Sequence, residues 1–209
     1  MQLLAAQKLG IASSLVGVAS TGVIGEIMKM EPVKKGVELL NPDSKLESGI
    51  DFSQAILTTD TVMKNTTYAT IIDGKEVIVS GTAKGSGMIE PNMATMLGFI
   101  TTDANIESEA MQKALSSVTD CTFNSITVDG DTSTNDTVIV MANGLAGNDP
   151  LSPAHPDWEN FYTALRLVSE DLAKSIARDG EGATKLIEVE VDGAVSDEEA
   201  RKIAKTVVG

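Results

Sequence analysis

Apolar and polar positions follow two rhythms along this chain. Leu3, Leu4 and neighbouring alanines predict a short helix that Gly10 closes, and residues 15–20, LVGVAS, read as a strand stopping at Thr21-Gly22. Residues 24–40 carry a helical pattern interrupted near Pro32, and a polar loop over 41–49 leads to a short helix that Asp51 would cap. Two strand patterns, TTYATII (66–72) and KEVIVSG (75–81), flank Asp73-Gly74, a link that closes a hairpin through a type I′ turn. The apolar run at 93–100 predicts a buried strand, 108–118 a helix, and SITV (125–128) and DTVIVMA (136–142) two strands around a polar turn. Trp158, Phe161, Leu165, Val168, Leu172 and Ile176 form one helical stripe within 157–178, which Gly180 ends. TKLIEVEVDG (184–193) alternates as a strand, and Ser196 with Glu199 makes a capping box for a last helix. Helices and strands alternate throughout, so the class is α/β or α+β. The triplet TTD at 58–60 and 101–103 is too short to mark a duplication, and no Pro- or Ser-rich linker sets a domain boundary.

Charge narrows the partners. Sixteen basic against thirty acidic side chains give a net charge of −14, which opposes nucleic-acid phosphates and anionic membranes and leaves small molecules or proteins. The single cysteine, Cys121, cannot form an internal disulfide, so a reducing, cytoplasmic setting is expected. The opening residues lack a cleavable signal pattern, and no run of eighteen apolar residues predicts a membrane span.

Most candidate motifs have ordinary explanations. Gly85-Ser86-Gly87 starts like a dinucleotide fingerprint, but Glu90 stands where a third glycine is needed. DGDTSTND (129–136) imitates a calcium loop, yet Thr134 replaces its glycine and Val140 its bidentate glutamate, leaving an Asx-rich turn. The one histidine, His155, reads as a surface loop residue; no histidine relay is available and no metal site is expected. Cys121 lacks a redox partner and is accounted for by packing.

KGSGMIEPNMATML (84–97) differs in kind. An enzyme with a serine or threonine nucleophile and no histidine can use the α-amine of an N-terminal threonine as its base. Thr95 is internal, so it gains that amine only if the chain cuts itself before it. The steps would be attack of the hydroxyl on the Ala94 carbonyl, an N-to-O acyl shift and ester hydrolysis, helped by a small preceding residue, strained backbone and oxyanion donors. Read alone, a threonine in an apolar strand is structural.

ASTGVIGE (19–26), AILTTDT (55–61), AKGSGMIEPNMATMLGFITTDA (83–104), ITVDGDTSTNDT (126–137), NGLAGN (143–148) and ARDGEGATKLIEVEV (177–191) together resemble, in order, the motifs of the ornithine acetyltransferase family of arginine biosynthesis. The resemblance implies self-cleavage between Ala94 and Thr95, giving an alpha fragment that ends at residue 94 and a beta fragment that starts at 95. Thr95 would be the nucleophile and Thr21 with Gly22 the oxyanion hole; Thr58, Lys84, Thr95 and Glu181 match substrate-binding positions. For Lys84 and Glu181 in isolation, solvated surface charge is the simpler reading. The implied reaction moves acetyl from N-acetylornithine to glutamate through an acetyl-threonine, without cofactor, and some family members also accept acetyl-CoA as donor. The implied fold is a layered αββα sandwich, similar in outline to N-terminal-nucleophile hydrolases, with the two fragments assembling as a heterotetramer. Family chains extend beyond both of these termini, so residues 1–209 would form a partial domain. Two alternatives stay open: an N-terminal-threonine amidase or peptidase with water as acceptor, and an uncleaved chain with no competent pocket.

Overall fold

The computed structural model describes residues 1–23, 25–43, 45–89, 96–131 and 133–209, and these fall into two compact units, Met1–Phe52 and Ser53–Gly209. In the first unit, α1 (Gln2–Leu9) ends as expected at Gly10, whose φ of 67° lets its amide reach back to the helix carbonyls. Residues 16–20 are not a strand; Val16 is extended but has no ladder partner among the described residues. Helix α2 spans Met30–Leu39, so Pro32 lies in its first turn, where its missing N–H breaks no helical bond. Helix α3, Leu46–Ala55, begins five residues before Asp51. Asp43 accepts the Lys45 amide and the Ser48 hydroxyl, tying the approach to the helix's first turn.

The second unit is built on one sheet. Strands β1 (Lys64–Ile72), β2 (Lys75–Lys84) and β3 (Leu97–Thr102) run antiparallel in that order, and β4 (Thr137–Ala142) lies parallel to β3. The β1–β2 turn is the expected one: Asp73 and Gly74 have φ of 52° and 71°, and Ile72 pairs with Lys75. The parallel β3–β4 step needs a crossover, supplied by α4 (Ser108–Cys121). Helix α5 (Trp158–Arg178) then packs across β1 and β2.

Even-numbered residues of β1 and odd-numbered residues of β2 face the helices. Ile72, Val77, Val79, Ala83 and Ile100 form a common core with Met111, Ala114 and Val118 of α4 and with Phe161, Leu165, Val168, Leu172 and Ile176 of α5. Contact is closest at Gly81, where a Cβ would lie 2.7 Å from Leu172 Cδ1 and 2.8 Å from Val168 Cγ1. The mixed α/β class is as expected, and the described residues supply one sheet with a helical layer on one face.

Two other strand expectations are corrected. Residues 126–128 follow a single 3-10 turn (Phe123–Ser125) and form no ladder among the described residues; the Ile126 amide reaches back to the Phe123 carbonyl and the Val128 amide donates to the Ile89 carbonyl. Residues 184–192 are largely exposed and form no ladder with another segment among the described residues. Alternation specifies which face a residue takes; a strand also needs a ladder beside it. Helix α6 (Asp197–Val208) starts at the expected cap, with Ser196 Oγ accepting the Glu199 amide at 3.2 Å.

Candidate functional site

The sheet brings three of the substrate-binding candidates to one loop. Lys84 ends β2 and is 2 % exposed, which corrects the reading of it as a solvated charge. Its Nζ reaches Thr58 Oγ1 at 3.5 Å. Thr59 turns elsewhere, its hydroxyl 2.7 Å from that of Ser86. The Glu181 amide donates to the Ser86 carbonyl at 2.6 Å, and its carboxyl lies so close over the loop that a Cβ on Gly87 would be 2.7 Å from its Cδ. Thr58 and Glu181 therefore both lie against the segment 84–87 that carries Lys84. A Cβ on Gly87 would push the Glu181 carboxyl, the end of a flexible side chain, out of this position.

A buried ion cluster holds those residues in place. Lys64, 2 % exposed, donates from Nζ to Asp60 Oδ1 and Asp179 Oδ2, each at 2.6 Å. Asp60 also accepts the Gly85 amide at 2.7 Å and the Thr58 amide at 3.2 Å. Asp179 accepts the Thr61 amide at 3.0 Å and the Thr61 hydroxyl. Burial works against both carboxylates, but these donors outweigh it and hold both below the usual carboxylate range. Because Asp60 lies two residues from Thr58 and Asp179 two from Glu181, the cluster fixes the segments carrying both. For Lys84, burial pushes the ammonium pKa down against the fields of Asp60 and Asp136.

Ala94 and Thr95 lie outside the described residues. Their flanks are described, and the loop read as an Asx-rich turn grips both. On the upstream side, Met88 has φ of 57°, a left-handed conformation that costs a long side chain about 1–3 kcal/mol. Asp129 holds it there, taking the Met88 amide at 2.5 Å and the Ile89 amide at 2.9 Å. On the downstream side, Asp136 Oδ1 takes the Met96 amide at 2.7 Å, and the Thr137 amide donates to the Met96 carbonyl at 3.1 Å. The other oxygen of Asp136 is buried without a hydrogen-bond partner among the described residues, and burial pushes its pKa up to about 7.

Thr21 and Gly22 belong to the first unit, in a stretch outside helix and strand. His155 is not a loose surface residue: its side chain is 9 % exposed, Nε2 is 3.3 Å from Asp73 Oδ1, and Nδ1 accepts the Asp157 amide. Asp73, His155 and Asp157 bring their donor atoms within 4.8 Å of one another, but each has a structural task. Asp73 accepts the Asp149 amide and Asp157 the Asp73 amide, so the group locks the hairpin turn to the start of α5.

Sequence reasoning missed Asp60, Lys64, Asp129, Asp136 and Asp179. Asp60 and Lys64 are four apart just before a strand, which is a weak signal for an ion pair. Nothing local marks Asp136 as half-buried with one carboxyl oxygen shut off from solvent.

Among the described residues, no helix is long and apolar enough to cross a membrane. The arginine biosynthesis bifunctional protein ArgJ of Geobacillus stearothermophilus is 64% identical over 209 residues, 100% of this chain and 51% of that protein. The same-named protein of Halalkalibacterium halodurans is 60% identical, again over 100% of this chain and 51% of its own length. The chain thus spans about half the length of the curated relatives it matches. A crystal structure of the arginine biosynthesis bifunctional protein argJ from Bacillus halodurans aligns with 53% of this chain and 52% of its own, at 68% identity and a TM-score of 0.53. The ArgJ family model matches residues 1–209, and the chain belongs to the ArgJ family.

Proposed function

We propose that this chain is part of a self-processing N-acyltransferase of arginine biosynthesis that moves acetyl from N-acetylornithine to glutamate. Thr95 Oγ attacks the Ala94 carbonyl, the acyl group shifts from nitrogen to oxygen, and water hydrolyses the ester to leave Thr95 with a free α-amine. In the transfer reaction the same oxygen attacks the acetyl carbonyl, and the ornithine nitrogen leaves with a proton delivered by the threonine amine. Glutamate then takes the acetyl group from the threonine, or acetyl-CoA supplies it in place of N-acetylornithine. Thr21 and Gly22 act as oxyanion donors. The chemistry draws its base from the chain itself and calls for no cofactor.

The observation that carries this reading is the gathering of Thr58 and Glu181 against the segment 84–87 that carries Lys84, at the end of the strand that leads to the Ala94–Thr95 bond. A zwitterionic amino acid needs a cation for its carboxylate, a carboxylate for its ammonium and a hydroxyl to orient it. Lys84, Glu181 and Thr58 supply those three groups. The sheet also suits a cut chain. Strands β1 and β2 precede the bond and β3 and β4 follow it, with β2 and β3 paired along their length and α5 lying across β1 and β2. Fragments 1–94 and 95 onward stay woven through one core, and the cut molecules pair as heterotetramers in the cytoplasm.

Denaturing mass spectrometry of the full-length protein tests the reading. Two species are expected whose masses sum to the parent plus one water, and Thr95→Ala should give the parent alone. With glutamate and N-acetylornithine supplied, N-acetylglutamate should accumulate. An uncut wild type, or free acetate as the sole product, overturns it.

A further inference from the structure

Charge does not balance inside the buried cluster beside the substrate loop. Lys64 faces two carboxylates, Asp60 and Asp179, each at 2.6 Å, so one cation meets two anions and a net charge of −1 is left over. A protein interior holds such a surplus where a further cation lies near. Lys84 is that cation. It is 2 % exposed, and the hydrogen-bond partner of its ammonium, Thr58 Oγ1 at 3.5 Å, carries no charge. The fields that favour its charged form come first from Asp60 and then from Asp136, while Lys64 opposes them. Asp136, with its pKa pushed up to about 7, is only partly ionised at neutrality, whereas the donors around Asp60 hold it below the usual carboxylate range. Asp60 is therefore the dependable anion of the two. The same carboxylate also grips the backbone. Oδ1 accepts the amide of Gly85, one residue beyond Lys84, at 2.7 Å, and Oδ2 accepts the amide of Thr58, whose hydroxyl the Lys84 ammonium meets, at 3.2 Å.

Resting on the function proposed above, we propose that Asp60 is the positioning residue for the substrate-binding cation: it fixes the backbone at Thr58 and just after Lys84, and it is the countercharge that keeps Lys84 an ammonium ready for the carboxylate of N-acetylornithine or glutamate. A buried amine without that countercharge gives up its proton and with it the charge-assisted bond to a carboxylate. Lys64 has an opposed role. It ties Asp60 to Asp179 and, as a like charge, works against the ammonium of Lys84. The remaining charged groups around the loop are Asp179, which faces Lys64, Glu181, whose carboxyl lies over Gly87, and Asp136.

These opposed roles allow a test that structural damage cannot imitate. Asp60→Asn, Lys64→Met and Asp179→Asn each break the same buried cluster, so a purely structural role would move all three variants one way. The probe is the titration of Lys84 itself, read by NMR of ¹³Cε-labelled lysine in full-length Thr95→Ala protein and assigned by its loss in Lys84→Arg. Asparagine at position 60 keeps an oxygen for the Gly85 amide but carries no charge. In Asp60→Asn the Lys84 titration should fall by about one unit or more, in Lys64→Met it should rise, and in Asp179→Asn it should stay in place. If Lys64→Met fails to fold, the contrast between Asp60→Asn and Asp179→Asn still decides. In the cut enzyme the alkaline limb of kcat/KM should follow the same directions. Above that limb, Asp60→Asn should raise KM about tenfold with kcat within about twofold, because it removes binding and not chemistry. An unmoved Lys84 titration in Asp60→Asn, or equal shifts of one sign in Asp60→Asn and Asp179→Asn, overturns the assignment and leaves the proposed function standing. The expected titrations in a wild type that binds neither N-acetylornithine nor glutamate would keep Asp60 as the countercharge and overturn the proposed function.

Discussion

Two clusters of buried charge lie in the same unit and are built on opposite terms. Around Lys64, both carboxylates face a cation and several N–H or O–H donors, and they stay ionised although the cation side chain is 0% exposed. Asp136 has one amide for one oxygen and nothing for the other among the described residues, and its pKa is pushed up to about 7. Burial alone therefore does not decide whether an aspartate carries charge; the number of donors it is given does. The first cluster fixes the chain segments around residues 84–87, and the second stands ready for a proton.

Replacing Lys64 with methionine breaks the contrast from the satisfied side. It leaves Asp60 and Asp179 buried without their cation, and a loss of about 3–5 kcal/mol is expected in chemical denaturation. Acid and alkali should separate the clusters next. Asp60 and Asp179 have folded pKa values below 3.8, so their contribution is present above about pH 4 and is lost as pH falls through those folded values. Asp136 has its folded pKa raised, so what it contributes is complete below 3.8 and disappears as pH rises to about 7. In uncut Thr95→Ala protein, thermal midpoints should fall at both ends of this range, and adding Asp136→Asn should flatten only the stretch from about 4 to 7. A midpoint curve unchanged by Asp136→Asn would remove the contrast. The smallest expected effect is Thr61→Val, which takes one donor from Asp179 and leaves Lys64 in place, at about 1 kcal/mol.

What the sequence made legible was local. Asp73-Gly74 between two alternating runs specifies its turn by backbone conformation alone, and the stripe from Phe161 to Ile176 specifies a buried helix face by period. Residues 16–20 and 184–192 have equally good strand patterns, but a strand is a property of two segments and neither has a partner among the described residues. The site was legible only as residue types at matching positions. That Lys84 is buried, and that Thr58 is the hydroxyl it meets, follow from a sheet and an ion cluster joining residues up to 119 positions apart. Asp129 and Asp136 look alike in an Asx-rich turn; only the fold separates the saturated one from the one with an oxygen to spare.

The grip on Met96 also sets a schedule. Its amide and its carbonyl are held by residues 136 and 137, forty positions downstream and across a helical crossover. A chain still leaving the ribosome has its hairpin long before it has that clamp. On the function proposed above, scission of the bond before Thr95 would wait for the crossover to dock, and the appearance of two fragments would serve as the molecule's own certificate of completed assembly.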